Sequence, residues 1–294
     1  MVRKERADTT TFPYSIINNF SRPSLTMLIC YSGTGNSYYA SKTIQERIGG
    51  IIVDIARRLD NNNFNLALEL DEPLGIVFPV YFGTIPKAVR EYVSKMKISD
   101  RGDHYIYAVM TCGSGCGSAP EDLDDVLEDA GYMLDAYYTL IMPNNALVFM
   151  DPEDDITVED KLSVAEDELE AIVKDIEGRR SGAIRTNRGD FHPERSEEMR
   201  NAYEAACDTK LFRSTDECIG CKFCERLCPE RAIRVYGRTA VWEKDSCSLC
   251  MGCLDMCPHS AITYDGMKVR GRYHNDSFYL RSIGIAMPFG DKRL

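Results

Sequence analysis

Over its first 180 or so residues the chain alternates short apolar runs with longer amphipathic stretches. Residues 27–31 are continuously apolar up to Tyr31, the pattern of a strand buried on both faces. Residues 51–55, 74–80, 105–111 and 134–143 repeat it. Between these runs the spacing predicts helices: one opening after Ser37, one from about Pro86 to Lys97, and one from Pro120 to Ala130. Proline suits a first helical turn, where its missing N–H costs nothing. Thr157 to Gly178 reads as a long amphipathic helix, with Thr157 and Asp160 as its capping box and Gly178 at its exit. Its apolar stripe is Val158, Leu162, Ala165, Leu169, Ile172, Val173 and Ile176. Five strands alternating with helices predict an α/β fold, a doubly wound five-stranded parallel sheet in the order 2-1-3-4-5.

The pattern then changes. Residues 179–195 are polar and read as linker, and Glu197 to Ala206 as a short helix. Eight of the 12 cysteines follow, in two copies of C-x2-C-x2-C-x3-C-P. The first copy is Cys218, Cys221, Cys224, Cys228 and Pro229; the second is Cys247, Cys250, Cys253, Cys257 and Pro258. The repeat continues past the ligands: Ala232 and Ile233 align with Ala261 and Ile262, a small and a bulky apolar wall. The expected division is an N-terminal extension (1–26), a sheet domain (27–180), a linker with a short helix (181–210), a smaller α+β cysteine-rich domain (211–265) and a tail (266–294).

Thiolates are soft ligands, and four of them suit an iron–sulfur cubane. Three cysteines spaced by two residues wrap one cubane, and the fourth, ahead of the proline, crosses to the other. The expected sets are therefore Cys218, Cys221 and Cys224 with Cys257, and Cys247, Cys250 and Cys253 with Cys228. Zinc sites more often use two C-x2-C pairs split by a longer loop. A disulfide framework is the weakest reading, since nothing marks the chain as secreted. The region resembles the two-cluster bacterial ferredoxins, with all eight ligands present, and the resemblance implies two 4Fe-4S clusters.

After the first strand come Ser32, Gly33, Thr34, Gly35, Asn36 and Ser37, leading into a helix. Backbone amides and hydroxyls at a helix N-terminus form an anion trap. The loop lacks both the lysine of a P-loop and the spacing of a dinucleotide fingerprint. The plain alternative is an ordinary strand-to-helix turn. The loop resembles the T/S-x-T-G-N-T/S phosphate loop of flavodoxins, with Ser32, Thr34, Gly35, Asn36 and Ser37 in its places. That resemblance implies FMN. Pro79, Tyr81, Phe82 and Gly83 fall at the carboxyl end of the third strand, where open α/β sheets bind ligands and an aromatic could stack on the flavin. Cys112, Gly113, Ser114, Gly115 and Gly117 follow the fourth strand, in the place where flavodoxins set a glycine-containing loop against the ring. Cys112 and Cys116 are a candidate redox pair, though such thiols more often serve as small buried residues.

The net charge of −11 argues against a nucleic-acid partner, although the cysteine-rich segment is locally basic. No apolar run is long enough for a membrane helix. Arg3, Lys4, Arg6 and Arg22 precede the first strand without a secretory apolar core. The tail mixes Arg270, Arg272, Tyr273, Phe278 and Tyr279 without a clear period. His104, His192, His259 and His274 fall in no readable acid–base motif. As a whole the chain resembles the flavodoxin–ferredoxin fusion proteins of anaerobic microbes. The expectation is a cytoplasmic electron-transfer iron–sulfur flavoprotein working between redox partner proteins. Two alternatives stand beside it: an FMN-dependent reductase of a small molecule fed by the clusters, and a flavin-free ferredoxin with a docking domain.

Overall fold

The structure, a computed structural model, describes residues 25–99 and 102–275. The basic residues of the N-terminal extension, and Phe278 and Tyr279 of the tail, lie outside the described residues. Thr26–Cys30 forms β1, with every residue buried. In chain order follow α1 (Asn36–Ile48), β2 (Gly50–Asp54), α2 (Ile55–Asp60), β3 (Asn65–Leu66) and β4 (Leu74–Pro79). Then come α3 (Lys87–Lys95), β5 (Lys97–Ile98), β6 (Ile106–Cys112), α4 (Ala119–Asp129), β7 (Ala136–Ile141), α5 (Asp155–Glu177) and β8 (Gly182–Ala183).

One parallel sheet runs β2-β1-β4-β6-β7-β8. It has six strands where the apolar runs predict five. The sixth is a two-residue edge strand, Gly182–Ala183, within the stretch read as linker. A pair of exposed small residues carries no apolar period, so nothing in the sequence marks it. β3 and β5 pair separately.

Alternate residues of the central strands enter opposite layers, as a pleat requires. Ile29, Tyr31, Ile76 and Phe78 pack under α3 and α4 with Val89, Tyr92 and Leu123. Leu28, Val77 and Tyr107 pack under α1 and α5 with Ala40, Ile44 and Leu169. Burial on both faces explains why these strands read as unbroken apolar runs. The long helix begins earlier than its expected capping box. Asp154, in extended conformation, caps it, accepting from Thr157 N at 2.7 Å. Thr157 thus lies inside the first turn as a donor.

The remaining half is smaller and antiparallel. It contains α6 (Ser196–Ala206), β9 (Phe212–Ser214), α7 (Phe223–Leu227), β10 (Ile233–Tyr236), β11 (Thr239–Trp242), α8 (Gly252–Asp255) and β12 (Ile262–Tyr264). β9 pairs with β12, and β10 with β11. The sequence repeat is also a backbone repeat. Lys222 and Met251 are both left-handed at the starts of α7 and α8, and Arg231 and Ser260 are both left-handed after the prolines.

Candidate functional site

Cys218, Cys221, Cys224 and Cys257 line a single cavity, walled by Phe223, Val235, Ala261 and Ile262. The other four thiols also converge. Burial, then the charges of Cys250, Cys228 and Cys247, pushes Cys253 well above the usual thiol range. Burial, then Cys257, Cys221 and Cys218, pushes Cys224 up to about 12. As free thiols these groups resist ionisation; bound to a metal cluster, a coordinating thiol is deprotonated by the cation. In each repeat the amide four residues after the last cysteine donates to its sulfur: Ala232 N to Cys228 Sγ and Ala261 N to Cys257 Sγ, both 3.3 Å. Among the described residues no three His, Cys, Asp or Glu side chains converge closely enough for a single ion.

A second cavity opens at the carboxyl edge of the sheet, between the loops after β1, β4, β6 and β7. Ser32, Thr34, Asn36 and Ser37 line it. Gly35 is left-handed at φ 105° and sits at the N-cap of α1, a conformation that costs a side chain and spares glycine. Its amide donates to Ser32 Oγ at 3.2 Å. Ser37 Oγ shares a 2.7 Å hydrogen bond with Thr111 Oγ1. Thr34 Oγ1 accepts from Asn145 Nδ2, which leaves its own proton to donate. Asn36 is committed elsewhere: its Nδ2 donates to Pro143 O at 3.0 Å, and its Oδ1 accepts from Tyr273 at 2.9 Å. What Asn36 can offer an anion is therefore its backbone amide, one of the unpaired first-turn donors of α1.

The expected ring-side residues divide. Pro79, Tyr81, Phe82, Cys112 and Gly113 line the cavity. Tyr81 and Phe82 also pack on Tyr203 of α6, with centroids at 6.3 and 5.9 Å, so one side of each is covered by protein. Gly83, Ser114, Gly115 and Gly117 are not lining residues. A Cβ on Gly115 would strike Gly189, and one on Gly117 would lie 2.6 Å from Gly83. What approaches those glycines is this chain's own backbone. Cys116 N and Gly117 N donate to Asn187 O and Arg188 O at 2.9 and 3.3 Å. Burial pushes the Cys112 thiol up to about 12, and Cys116 is raised for the same first cause.

Sequence reasoning missed several residues that line the cavity, among them Phe149 and two groups from separate loops. Asn144, Asn145 and Ala146 follow β7, and the proline and two asparagines after the last strand were a legible loop signal. Leu249 and Met251 come from the second cysteine run, and no local pattern could place them here.

These two residues flank the contact that joins the thiols to the cleft. Cys250 packs against Gly33, where a Cβ would meet Cys250 Cβ at 2.5 Å and its carbonyl oxygen at 2.7 Å. A Cβ on Gly252 would likewise meet Gly33 O at 2.9 Å. Beside this contact Glu230 Oε1 accepts from Tyr31 at 3.1 Å and from Ser248 N at 2.8 Å. Tyr203 donates to Ser248 O at 3.0 Å and accepts from Lys87 N at 3.2 Å. Ser248 Oγ accepts from Ala88 N at 3.0 Å. The start of α3 is thus hydrogen-bonded to the cysteine-rich half.

Fold and site together define a parallel α/β sheet with a cleft at its carboxyl edge, joined to a module carrying two thiol sets. Residues 217–261 match the 4Fe-4S dicluster domain family. That match assigns iron–sulfur electron transfer to the cysteine-rich half. Among solved structures, the Trp repressor binding protein from Bacillus subtilis is similar at 9% identity, over 48% of this chain and 94% of that one, with a TM-score of 0.28. The comparison with curated proteins returned no match.

Proposed function

We propose that the chain is an electron-transfer iron–sulfur flavoprotein, with two 4Fe-4S clusters in the crossed cysteine sets and FMN in the cleft. The observation that carries this reading is the packing of Cys250 on Gly33: one thiol set and the anion loop share a wall. The clusters supply one-electron chemistry and the flavin one- or two-electron chemistry, so their pairing converts between the two. The chain's own part is to hold and space them. Ser32, Thr34 and the first amides of α1 would take the phosphate, with Tyr81, Phe82 and Gly113 beside the ring. Its partners are redox proteins, and its setting is the cytoplasm. The domain boundaries expected from the sequence are part of the same proposal.

Two measurements test it. Anaerobically reconstituted protein should contain about eight iron atoms per chain, with equal acid-labile sulfide. Stoichiometric zinc or about four iron atoms would refute the two-cluster arrangement. Thr34→Ala should weaken FMN by about one to two powers of ten, because each hydrogen bond to a charged phosphate contributes about 1.5–3 kcal/mol. Riboflavin, which lacks the phosphate, should bind both proteins equally; equal losses for the two ligands would remove the phosphate from this loop.

A further inference from the structure

The segment after β12 reads as an unpatterned tail, yet its described part is held at several points along its length. It turns back through paired 2.9 Å hydrogen bonds between Tyr264 and Met267. Arg270 N then donates to Leu147 O at 3.0 Å, and its guanidinium pairs with Asp151 at 3.1 Å. Gly271 lies so close to Pro152 that a Cβ would come within 2.7 Å of it. Arg272 Nη2 donates to Pro258 O at 3.2 Å and to Ser260 Oγ at 2.8 Å, just past Cys257. Tyr273 donates to Asn36 Oδ1 at 2.9 Å, and Asn275 N to Thr34 O at 2.9 Å. Asn275 is buried, and its side-chain nitrogen has no acceptor among the described residues.

Within six residues the strap therefore holds the loop after β7, the Cys257 loop and the anion loop. Its grip on the anion loop is by the outer side. The carbonyl of Thr34 and the amide of Gly35 belong to one peptide and point in opposite directions. The strap takes the carbonyl, while the amide turns inward to Ser32 Oγ. Asn36 is likewise held by its oxygen, with its amide group on Pro143. The strap thus fixes the curvature of the loop without occupying its donors.

We propose that residues 270–275 form a clasp that sets the shape of the anion loop and links its affinity for a phosphate-bearing flavin to the loop that follows Cys257. The clasp rests on the FMN reading given above. Ordering a loop before the ligand arrives lowers the entropic cost of binding. A tie to the Cys257 loop makes that order depend on a segment next to the thiol set of Cys218, Cys221, Cys224 and Cys257. By linkage, the flavin in turn steadies that segment.

The test is titration of FMN and of riboflavin into the cluster-loaded protein, Tyr273→Phe and Arg272→Gln. Tyr273→Phe keeps the ring and removes one hydrogen bond to Asn36. Arg272→Gln removes the hydrogen bonds to Pro258 and Ser260, which lie outside the anion loop. Tyr273→Phe loses one hydrogen bond and Arg272→Gln the two to the Cys257 loop, and each should raise the Kd of FMN by about three- to tenfold. The Kd of riboflavin and the iron content should stay unchanged. An unchanged FMN Kd in Arg272→Gln overturns the link, even if Tyr273→Phe binds less well. Equal losses for FMN and riboflavin overturn it too, because the strap would then act as general scaffolding. Failure of the unaltered protein to bind FMN would refute the flavin reading itself, a result distinct from unchanged affinity in the variants.

Discussion

Single residues carry much of the geometry at the cleft. Gly35 is held twice, by its left-handed backbone and by the Asn275 carbonyl oxygen that a Cβ would strike. Gly35→Ala should therefore cost more than the roughly 1–2 kcal/mol of a left-handed alanine, because the strap must also lift. A urea titration showing a loss below about 1 kcal/mol would contradict the contact. Cys112 illustrates a different point. Its place beside the cleft invites a redox role, but burial and then Cys116 hold its thiol up at about 12. At pH 8 almost none of it is thiolate, so iodoacetamide should leave Cys112 unmodified in the folded protein and react once it unfolds. The same shift has a sign for stability. The folded thiol keeps its proton while the unfolded thiol loses it above about pH 8.5, so this contribution falls as pH rises from there toward 12.

At the scale of elements, the cleft depends on how α4 and α6 meet the turn after β4. Asp122 of α4 is buried, accepts from Thr84 Oγ1 and from Ser118 Oγ at 3.2 Å, and pairs with Arg200 of α6 at 2.7 Å. One carboxylate thus ties two helices and the Tyr81 turn. Asp122→Ala leaves the buried Thr84 hydroxyl without its acceptor, while Ser118 Oγ keeps the Gly83 carbonyl at 3.2 Å, and should destabilise by about 1–3 kcal/mol; the half-exposed Arg200 adds little. Chemical denaturation measures this, and a change within about 0.5 kcal/mol would mean that the network holds nothing. The elements themselves were legible because the runs around Ile29, Ile76 and Val109 are buried on both faces. Short elements escaped that signal: α2, which begins at Ile55 where the apolar run reads as strand, the two-residue strands β3, β5 and β8, and the start of α5, set by a single capping carboxylate.

For the whole molecule, the two halves meet through buried contacts instead of a loose tether. Tyr31, the last residue of the first apolar run, gives its phenol to Glu230 beside the thiols. Burial, then that carboxylate, keeps the phenol protonated. With Tyr203 bridging Lys87 and Ser248, stability should be shared across the seam. Removing the clusters by anaerobic chelation should therefore lower the thermal midpoint seen by far-UV dichroism, a signal dominated by the helices of the sheet half. An unchanged midpoint would show that the halves unfold independently. Gly33→Ala probes the same seam from the other side: its Cβ has no room against Cys250, so it should reduce the iron content and, under the flavoprotein proposal, the affinity for FMN.

Local pattern alone determined the five apolar strands of the sheet, the two cysteine runs with their repeat, and the Ser32–Ser37 loop between strand and helix, because each depends on residues close in the chain. A thiol at every third position or an apolar run of five is a property of neighbours. Tertiary structure decided which of those residues are free to act. It covered Gly115 and Gly117 with the chain's own backbone and committed the side chain of Asn36 to Pro143 and Tyr273. It also set Cys250 on Gly33 and bent the tail across Thr34. The last two contacts join residues more than two hundred positions apart. The free energy that selects them comes from burying both partners at once, and no window of sequence contains both.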